Sequence, residues 1–493
     1  MAVIVVGLIL GLSLLLAVMS RRGAIRNSMS DIMVASRSFG ALLLFIVAVG
    51  ETYSVGTMIG VPGAIYAHGA SYAIWFMGYM CLGFSVGYFI NPMIWRLGRL
   101  SGALTVAEAF RWRWGSRSLE ILIALLCIIF LLPWVQIQFA GLGIIIKHLG
   151  FDINYGAGIL TATVVAFLYI AIAGIRAPAW VSLLKDFLLL FAMVIGGLVV
   201  AAKFPGGVGG IFSEAARLFP EKIAVETVPL TKNVTFMIST MIFQAMGVCM
   251  FPLTFQFVFT GKSEDTVRRN QIFMPLYMYM YPFLILTAYF VLLTAGGLSN
   301  PDEAFMVLVS QNLPSWLVGM VAAGGILTCI LVAALCSLLI GGLLTQNIIG
   351  LFKRDLSSLA AVNITRLSTA LTLFVSAMLA IYLPALMLGI NNFAYFGLTQ
   401  MFPAAICAFF WSRSTKQGVF AGLAVGVAMV FILVGGKIDI WGINKGFIAL
   451  MGNAIVTVVV SLMTKPDAVT EKNNRIYREY DPSADIRGEE KAG

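Results

Sequence analysis

The chain has 493 residues, 60% of them apolar and only 11% charged, with a mean hydropathy of +0.96 and a formal net charge of +10. That balance excludes a soluble globular domain and reads as a polytopic membrane protein. Its six cysteines (Cys81, Cys127, Cys249, Cys329, Cys336, Cys407) lie in apolar runs without paired metal-ligand spacing, and His68 and His148 fall near span ends. The pattern argues against a disulfide framework, a zinc site or histidine-based metal chemistry.

Residues 2–20 form an apolar run followed directly by Arg21 and Arg22. A secretory signal carries its charges first, so this run reads as a retained first span with its N-terminus outside. Apolar runs follow at about 40–66, 71–95, 119–146, 155–175, 179–202, 234–259, 272–296, 316–349, 367–389, 393–412, 418–436 and 446–464. Each can supply a helix of roughly 20 residues across about 30 Å of hydrocarbon. The expected fold class is therefore all-α, with about thirteen transmembrane helices. Alternate connections carry eighteen Lys and Arg against seven on the opposite set, which puts the C-terminus in the cytoplasm. The positive charge reads as a topology signal, with the lipid bilayer as partner and no nucleic acid.

Two outer connections, 203–232 with its amphipathic Phe212–Phe219 stretch and 297–315 through Pro301-Asp302-Glu303, read as caps on the outer face. The charged tail from 465 to 493 reads as disordered.

The span at 40–66 contains Gly50-Glu51-Thr52-Tyr53-Ser54-Val55-Gly56-Thr57-Met58-Ile59-Gly60-Val61-Pro62-Gly63. A charge in hydrocarbon costs roughly 2.5–3.5 kcal/mol on insertion scales and faces a cavity or a partner. Glycine and proline this dense break a helix, and broken backbone at membrane depth survives only inside protein or beside a water-filled site. A break is expected around Gly60–Gly63. Five spans later, Gln244 to Pro252 repeats glycine and proline in mid-membrane, so two halves of opposite orientation, each with a broken helix, are expected.

Three ionisable residues lie well inside spans: Glu51, Lys185 and Asp186. Lys185-Asp186 suits a structural ion pair. Because burial favours the neutral form of a lysine, Glu51, Lys185 and Asp186 are also candidate coupling groups. Other polar groups inside spans are Gln136, Gln138, Gln244, Thr254, Gln256 and Gln400, each as readily an interhelical partner as a ligand contact. The candidate solute-binding set is Thr52, Tyr53, Ser54, Thr57, Gln136, Gln244, Gln256 and Gln400. Trp75, Trp134 and Tyr395 read as packing aromatics.

These stretches resemble the sodium:solute symporter superfamily over nearly the whole chain. The resemblance rests on Ala35-Ser36-Arg37-Ser38-Phe39-Gly40, Gly60-Val61-Pro62-Gly63, Lys262-Ser263-Glu264-Asp265 and Pro301-Asp302-Glu303-Ala304-Phe305. Glu51 with Tyr53, Leu132 to Gln138, Arg176-Ala177-Pro178 with Lys185-Asp186, and Arg268-Arg269-Asn270 followed by Pro275 resemble its bacterial monocarboxylate permease branch. The resemblance implies a LeuT-type 5+5 inverted-repeat core at 21–412, with repeats 40–202 and 234–412. Around it come a peripheral helix at 1–20, accessory helices at 413–464 and the tail. It implies a multi-pass protein of the bacterial inner membrane and alternating-access transport of a small organic solute, with no cofactor beyond H⁺ or Na⁺ as coupling ion.

The chain also departs from the family. Sodium-dependent members use broken-span carbonyls, here Gly50 and Tyr53, an aspartate matching Asp186, and two hydroxyl residues that fall on Leu331 and Val332. Neither of those side chains carries the oxygen a hard cation needs; Thr328 is one turn away. The cation site reads as degenerate, with Lys185 in the cation's place, so proton coupling is expected over sodium coupling. A retained Na⁺ site and a symporter-like sensor are the alternatives. A channel lacks its acidic ring or filter, and no nucleophile–base pair suggests an enzyme.

Overall fold

The structure, a computed structural model, describes residues 1–20, 28–52, 54–149, 155–225, 232–352, 357–383 and 385–481. The side chains of Glu51, Tyr155, Ile172, Ala173 and Lys232 lie outside that description. Eleven described helices are long and apolar enough to cross a membrane. Two shorter apolar helices, Ala41–Gly50 and Gly156–Ala171, occupy two further expected spans. The first is short because its span is broken.

The helix Ser315–Leu343 is the axis of the bundle, and 100% of its most apolar window is buried. Small residues make this possible: Gly324 lies against Leu188, Gly325 against Ile145 and Gly319 against Ala2. Ala2–Met19 is the opposite case, with only 17% of its window buried, so it faces lipid from the periphery. Its one deep polar contact joins the Ser13 and Tyr169 hydroxyls at 2.5 Å.

Both expected breaks are present, and the first lies earlier than the composition suggests. Ala41–Thr52 ends before Ser54, and a π-helical turn, Gly56–Gly60, leads into Val61–His68. Pro62 sits in the first turn of that second half, where its missing N–H costs nothing. The break is thus at the polar residues rather than at Gly60–Gly63. The second break separates Lys232–Val248 from Pro252–Thr260, and Phe251 at the junction is extended (φ −62°, ψ 127°). A third irregularity was not visible in the sequence: the seven-residue 3₁₀ stretch Met274–Met280, interrupting the span Glu264–Thr294.

At the arginine-rich end, the stretch before the first broken span is pinned in an unusual backbone. Ala35, Ser36 and Arg37 all have positive φ (49°, 52° and 58°), a strained region that needs outside support. Arg37 supplies it by donating to the carbonyls of Gly98 (3.1 Å) and Ala103 (2.8 Å). Arg176 donates to Asp31 at 2.7 Å and to the Ala35 carbonyl at 3.1 Å. Phe39 then pairs with the second broken span through its N–H to Thr260 O (3.0 Å).

The two long connections, expected on the outer face, differ from one another. Gly207–Leu218 lies as an amphipathic cap, burying Ile211 and Ala215 and setting Phe212 against Tyr289. Pro301–Glu303 and Ala304–Asn312 instead sink into the bundle, with Ala304 to Val309 buried.

The expectation of a disordered tail is corrected over part of its length. Ala468–Glu479 is a helix capped by Asp467, whose side chain accepts from Thr470 N at 2.9 Å. Burial disfavours the Asp467 carboxylate, but Lys416 at 2.7 Å and the Thr470 donors outweigh it and hold the carboxyl down to about 2. The helix is docked because Arg113, fully buried on Val106–Trp114, needs acceptors and finds Asn474 Oδ1 (2.7 Å) and the Thr470 carbonyl (3.4 Å).

The accessory helices Lys416–Gly435 and Lys445–Met463 pack through a glycine stripe at four-residue spacing, Gly418, Gly422 and Gly426, which admits Ser461, Thr457 and Asn453. A Cβ at Gly422 would collide with the Thr457 hydroxyl, whereas one at Gly435 would meet nothing within 4 Å. Gly422→Leu should therefore lower the unfolding temperature of the detergent-purified protein, and Gly435→Leu should leave it within error.

Candidate solute cavity and cation pocket

The breaks free backbone groups at membrane depth, and the side chains around them answer that need. At the first break the Thr57 hydroxyl donates to the Thr52 carbonyl (2.9 Å) and pairs with the Tyr277 hydroxyl (2.5 Å). Tyr281 in turn donates to Tyr277 at 3.0 Å. Thr52 donates back to Ala48 O at 3.0 Å. At the second break Thr254 reaches back to Val248 O (3.0 Å), while Phe251 makes no side-chain cap, so the helix N-terminus at Pro252 remains open.

Between the breaks lies a narrow cavity with room for about 100 Å³ of water. Thr52, Ser54 and Thr57 line it from the first broken span, Trp134 and Gln138 from Arg117–His148, and Asn391 and Tyr395 from Met387–Leu398. No charged side chain lines it among the described residues. Several lining polar atoms have no hydrogen-bond partner: Trp134 Nε1, Gln138 Oε1, Asn391 Nδ2, Asn91 Oδ1 and Asn270 Oδ1. Trp134, Phe251 and Tyr395 form one aromatic wall, with centroids 4.8 Å and 5.2 Å apart. Trp75 packs behind them on Tyr79.

The expected polar residues divide by helical phase. Gln136 stands two residues, about 200°, from Gln138, and its amide donates to Leu383 O (2.8 Å) instead of facing the cavity. Gln256 is likewise two residues past Thr254 and donates to Met33 O (2.6 Å). Gln244 donates to Asn392 Oδ1 (2.7 Å), and Gln400 lies among Phe396 O, Gly446 O and Asn453. These four glutamines tie helices together. Gln138 and Trp134, which lie outside the candidate binding set, and Asn391, which the sequence did not single out, are cavity groups. The one available signal was that Trp134 and Gln138, four residues apart, share a helix face. Tyr53 and the Glu51 side chain lie outside the described residues.

Beside the cavity, Lys185 and Asp186 come from Arg176–Lys203 and meet the end of Ala41–Thr52. The Lys185 ammonium, 1% exposed, donates to the Gly50 carbonyl and sits 3.0 Å from Asp186 Oδ1. The approach is so close that a Cβ at Gly50 would lie 2.8 Å from Asp186 Oδ2 and 3.2 Å from Lys185 Nζ. Leu331 and Val332 are buried on Ser315–Leu343, and the buried Thr328 hydroxyl donates to Gly324 O (2.7 Å). No cluster of three or more His, Cys, Asp or Glu suited to a metal occurs among the described residues.

The residues 32–426 match the sodium:solute symporter family. The chain belongs to that family. It is 27% identical to the uncharacterized symporter YhjB of Bacillus subtilis, across 94% of this chain and 97% of that one. It is 25% identical to a monocarboxylate transport permease protein of Rhizobium johnstonii, covering 87% and 89%. Its fold superposes on a Na⁺-coupled sialic acid symporter in its substrate-bound outward-open state, with a TM-score of 0.79, 15% identity and coverage of 94% and 98%. The fold is thus of the LeuT type, and the protein is a multi-pass plasma-membrane symporter of the cation-coupled class, not an enzyme.

The cavity is asymmetric for such a symporter. Its lining runs to Asn91, Asn270 and Gln271, close to the Arg96–Glu264 pair (3.1 Å) at the arginine-rich end. The other end is shut by Asp302, 4% exposed, whose Oδ2 accepts the Met387 N–H at 3.0 Å. Gly63 packs so tightly here that a Cβ would lie 2.7 Å from Asp302 Cα. Lys147 reaches Glu303 at 2.7 Å, and His148 stands 3.7 Å from the same carboxylate.

Burial raises the Asp302 carboxyl from 3.8 to about 6 against the Met387 N–H, which favours ionisation. A raised folded value means that the neutral acid stabilises this arrangement at low pH and that the contribution is lost as pH rises through about 6. The unfolding temperature of the parent should therefore fall, relative to Asp302→Asn, between about pH 4 and pH 6.5. The amide keeps an oxygen for Met387 and does not titrate, so the difference between the two profiles isolates Asp302 from Glu303 and His148.

Proposed function

We propose that this symporter couples the movement of a small organic solute, monocarboxylate- or amino-acid-like, to protons rather than to sodium. The observation that carries the reading is the Lys185 ammonium on the Gly50 carbonyl with Asp186 beside it. That carbonyl belongs to the oxygen set expected to hold a cation, and an ammonium there satisfies it and repels Na⁺. The loss of side-chain oxygen at Leu331 and Val332 points the same way. Deprotonating Lys185 would remove a charge-assisted hydrogen bond and an ion pair at once, loosening Ala41–Thr52 from Arg176–Lys203. Solute exchange at the neighbouring cavity is thereby linked to a proton.

The cavity chemistry supports a carboxylate-bearing solute of modest size. In the absence of a cationic side chain, the open N-terminus at Pro252 offers partial positive charge. The unpartnered Trp134 and Asn391 N–H groups add donors, and the aromatic wall suits an apolar body. The similarity to a monocarboxylate transport permease favours the same class. The shut contact at Asp302 makes this the inward-facing arm of the alternating cycle.

Two outcomes test this reading. In proteoliposomes, Lys185→Met should abolish pH-gradient-driven accumulation while sparing solute exchange, and replacing NaCl by choline chloride should change neither uptake nor unfolding temperature; a sodium-specific thermal rise would establish a retained Na⁺ site instead. With a panel of short carboxylates, Trp134→Phe or Asn391→Leu should raise KM roughly tenfold, the loss of about one hydrogen bond to a charged group. Gln256→Leu should reduce folded protein rather than KM.

A further inference from the structure

The C-terminal helix does more than shield Arg113. With Thr470, Asn474 and Tyr477 held against the bundle, the opposite face of Ala468–Glu479 is presented rigidly to solvent. The attachment has several parts: Asn474 donates to Ser412 O (2.9 Å), Asn473 to Trp112 O (2.5 Å), and the Tyr477 ring stacks on Phe409 at 6.0 Å. Between this helix and the ends of two spans runs a groove of about 690 Å³, lined by Arg413, Lys465, Arg475 and Arg478, with Glu471 and Glu479 also on its wall. Four cations against two carboxylates leave it a formal excess of two positive charges.

None of the four cations has a carboxylate partner within ion-pair distance among the described residues. Among the described residues Arg413 is bound to carbonyls, Ser461 O at 2.8 Å and Leu462 O at 3.3 Å, which anchors its guanidinium at the end of the last span. Arg478 also faces the charge of buried Arg113. Lys416, by contrast, is paired with Asp467, so the same segment does neutralise a cation where its neighbours permit. The groove begins where the apolar surface of the spans stops: Leu462 and Met463 are 59% and 80% exposed just before Lys465, and Phe410 is 53% exposed just before Arg413. Such a change from exposed apolar to charged surface is where lipid head groups are expected.

We propose that this groove binds a phosphate-bearing anion, supplied in the membrane by the head group of an anionic phospholipid. Guanidinium forks from Arg413, Arg475 and Arg478 match phosphate oxygens, and Lys465 adds a point charge. A basic amphipathic helix immediately beyond a transmembrane span is the expected form of such a site. Occupancy ties the docked helix, and through Asn474 the buried Arg113, to the inner surface of the lipid. This does not depend on which solute or coupling ion the transporter uses.

The test uses the full-length protein in detergent, followed by thermal unfolding during titration with short-chain phosphatidylglycerol, short-chain phosphatidylcholine or inorganic phosphate. Phosphatidylglycerol should raise the unfolding temperature saturably and phosphatidylcholine should not. The triple variant Lys465→Gln, Arg475→Gln, Arg478→Gln should raise the half-saturating concentration about tenfold or more. Lys465→Arg, Arg475→Lys, Arg478→Lys should restore it. A control that removes equal charge at the same end, Lys262→Gln, Arg269→Gln, Arg366→Gln, should behave as the parent. A response to inorganic phosphate alone assigns the groove to a soluble phosphate, and a response confined to phosphatidylglycerol assigns it to the head group. No response to either, or a response unchanged in the glutamine variant, overturns the proposal.

Discussion

Backbone amides interrupted inside hydrocarbon must find partners within the protein, and this constraint organises the molecule. The two broken spans are tolerable because hydroxyls and an ammonium meet their freed carbonyls. Thr57 serves Thr52, Thr254 serves Val248, and Lys185 serves Gly50. Each of these groups also stands at or beside the cavity. Stabilising the breaks and shaping the cavity are one arrangement, so a change to either is felt by both.

The two ends of the cavity are held by different physics. At the arginine-rich end, Arg37 and Arg176 hold backbone turns through carbonyls and Asp31, so the frame is rigid while the cavity runs toward that side. At the opposite end, closure rests on the buried Asp302 carboxylate accepting the Met387 N–H, on Gly63, which permits close contact, and on the Lys147–Glu303 pair. A seal built from contacts between a few side chains can open without dismantling the bundle.

The periphery follows the same economy. Arg113 is buried without a carboxylate partner among the described residues, and its neutral acceptors come from the chain's own C-terminal helix and from Ala408 O. An exposed polar segment is thereby folded, and its cationic face is left beside the lipid boundary. The glycine stripe on Lys416–Gly435 joins the accessory helices by close approach instead of bulky apolar packing, as expected where lipid competes for every apolar surface.

The sequence alone determined the membrane class, the positions of the spans, the two broken helices and the Lys185–Asp186 pair. These follow from hydropathy, glycine and proline content, and the cost of charge in hydrocarbon, all of which are local properties. Tertiary structure decided which polar residues face the cavity. Gln136 and Gln138 are chemically identical, and only the rotation of their helix against its neighbours sends one to Leu383 and the other to the cavity. The same holds for Gln256 and Thr254. The 3₁₀ stretch carrying Tyr277, the trans cap from Asp302 to Met387 and the docked tail were equally invisible, since each depends on a partner remote in sequence. Local composition says where a membrane chain must break; which groups meet at the break is settled by how the spans pack.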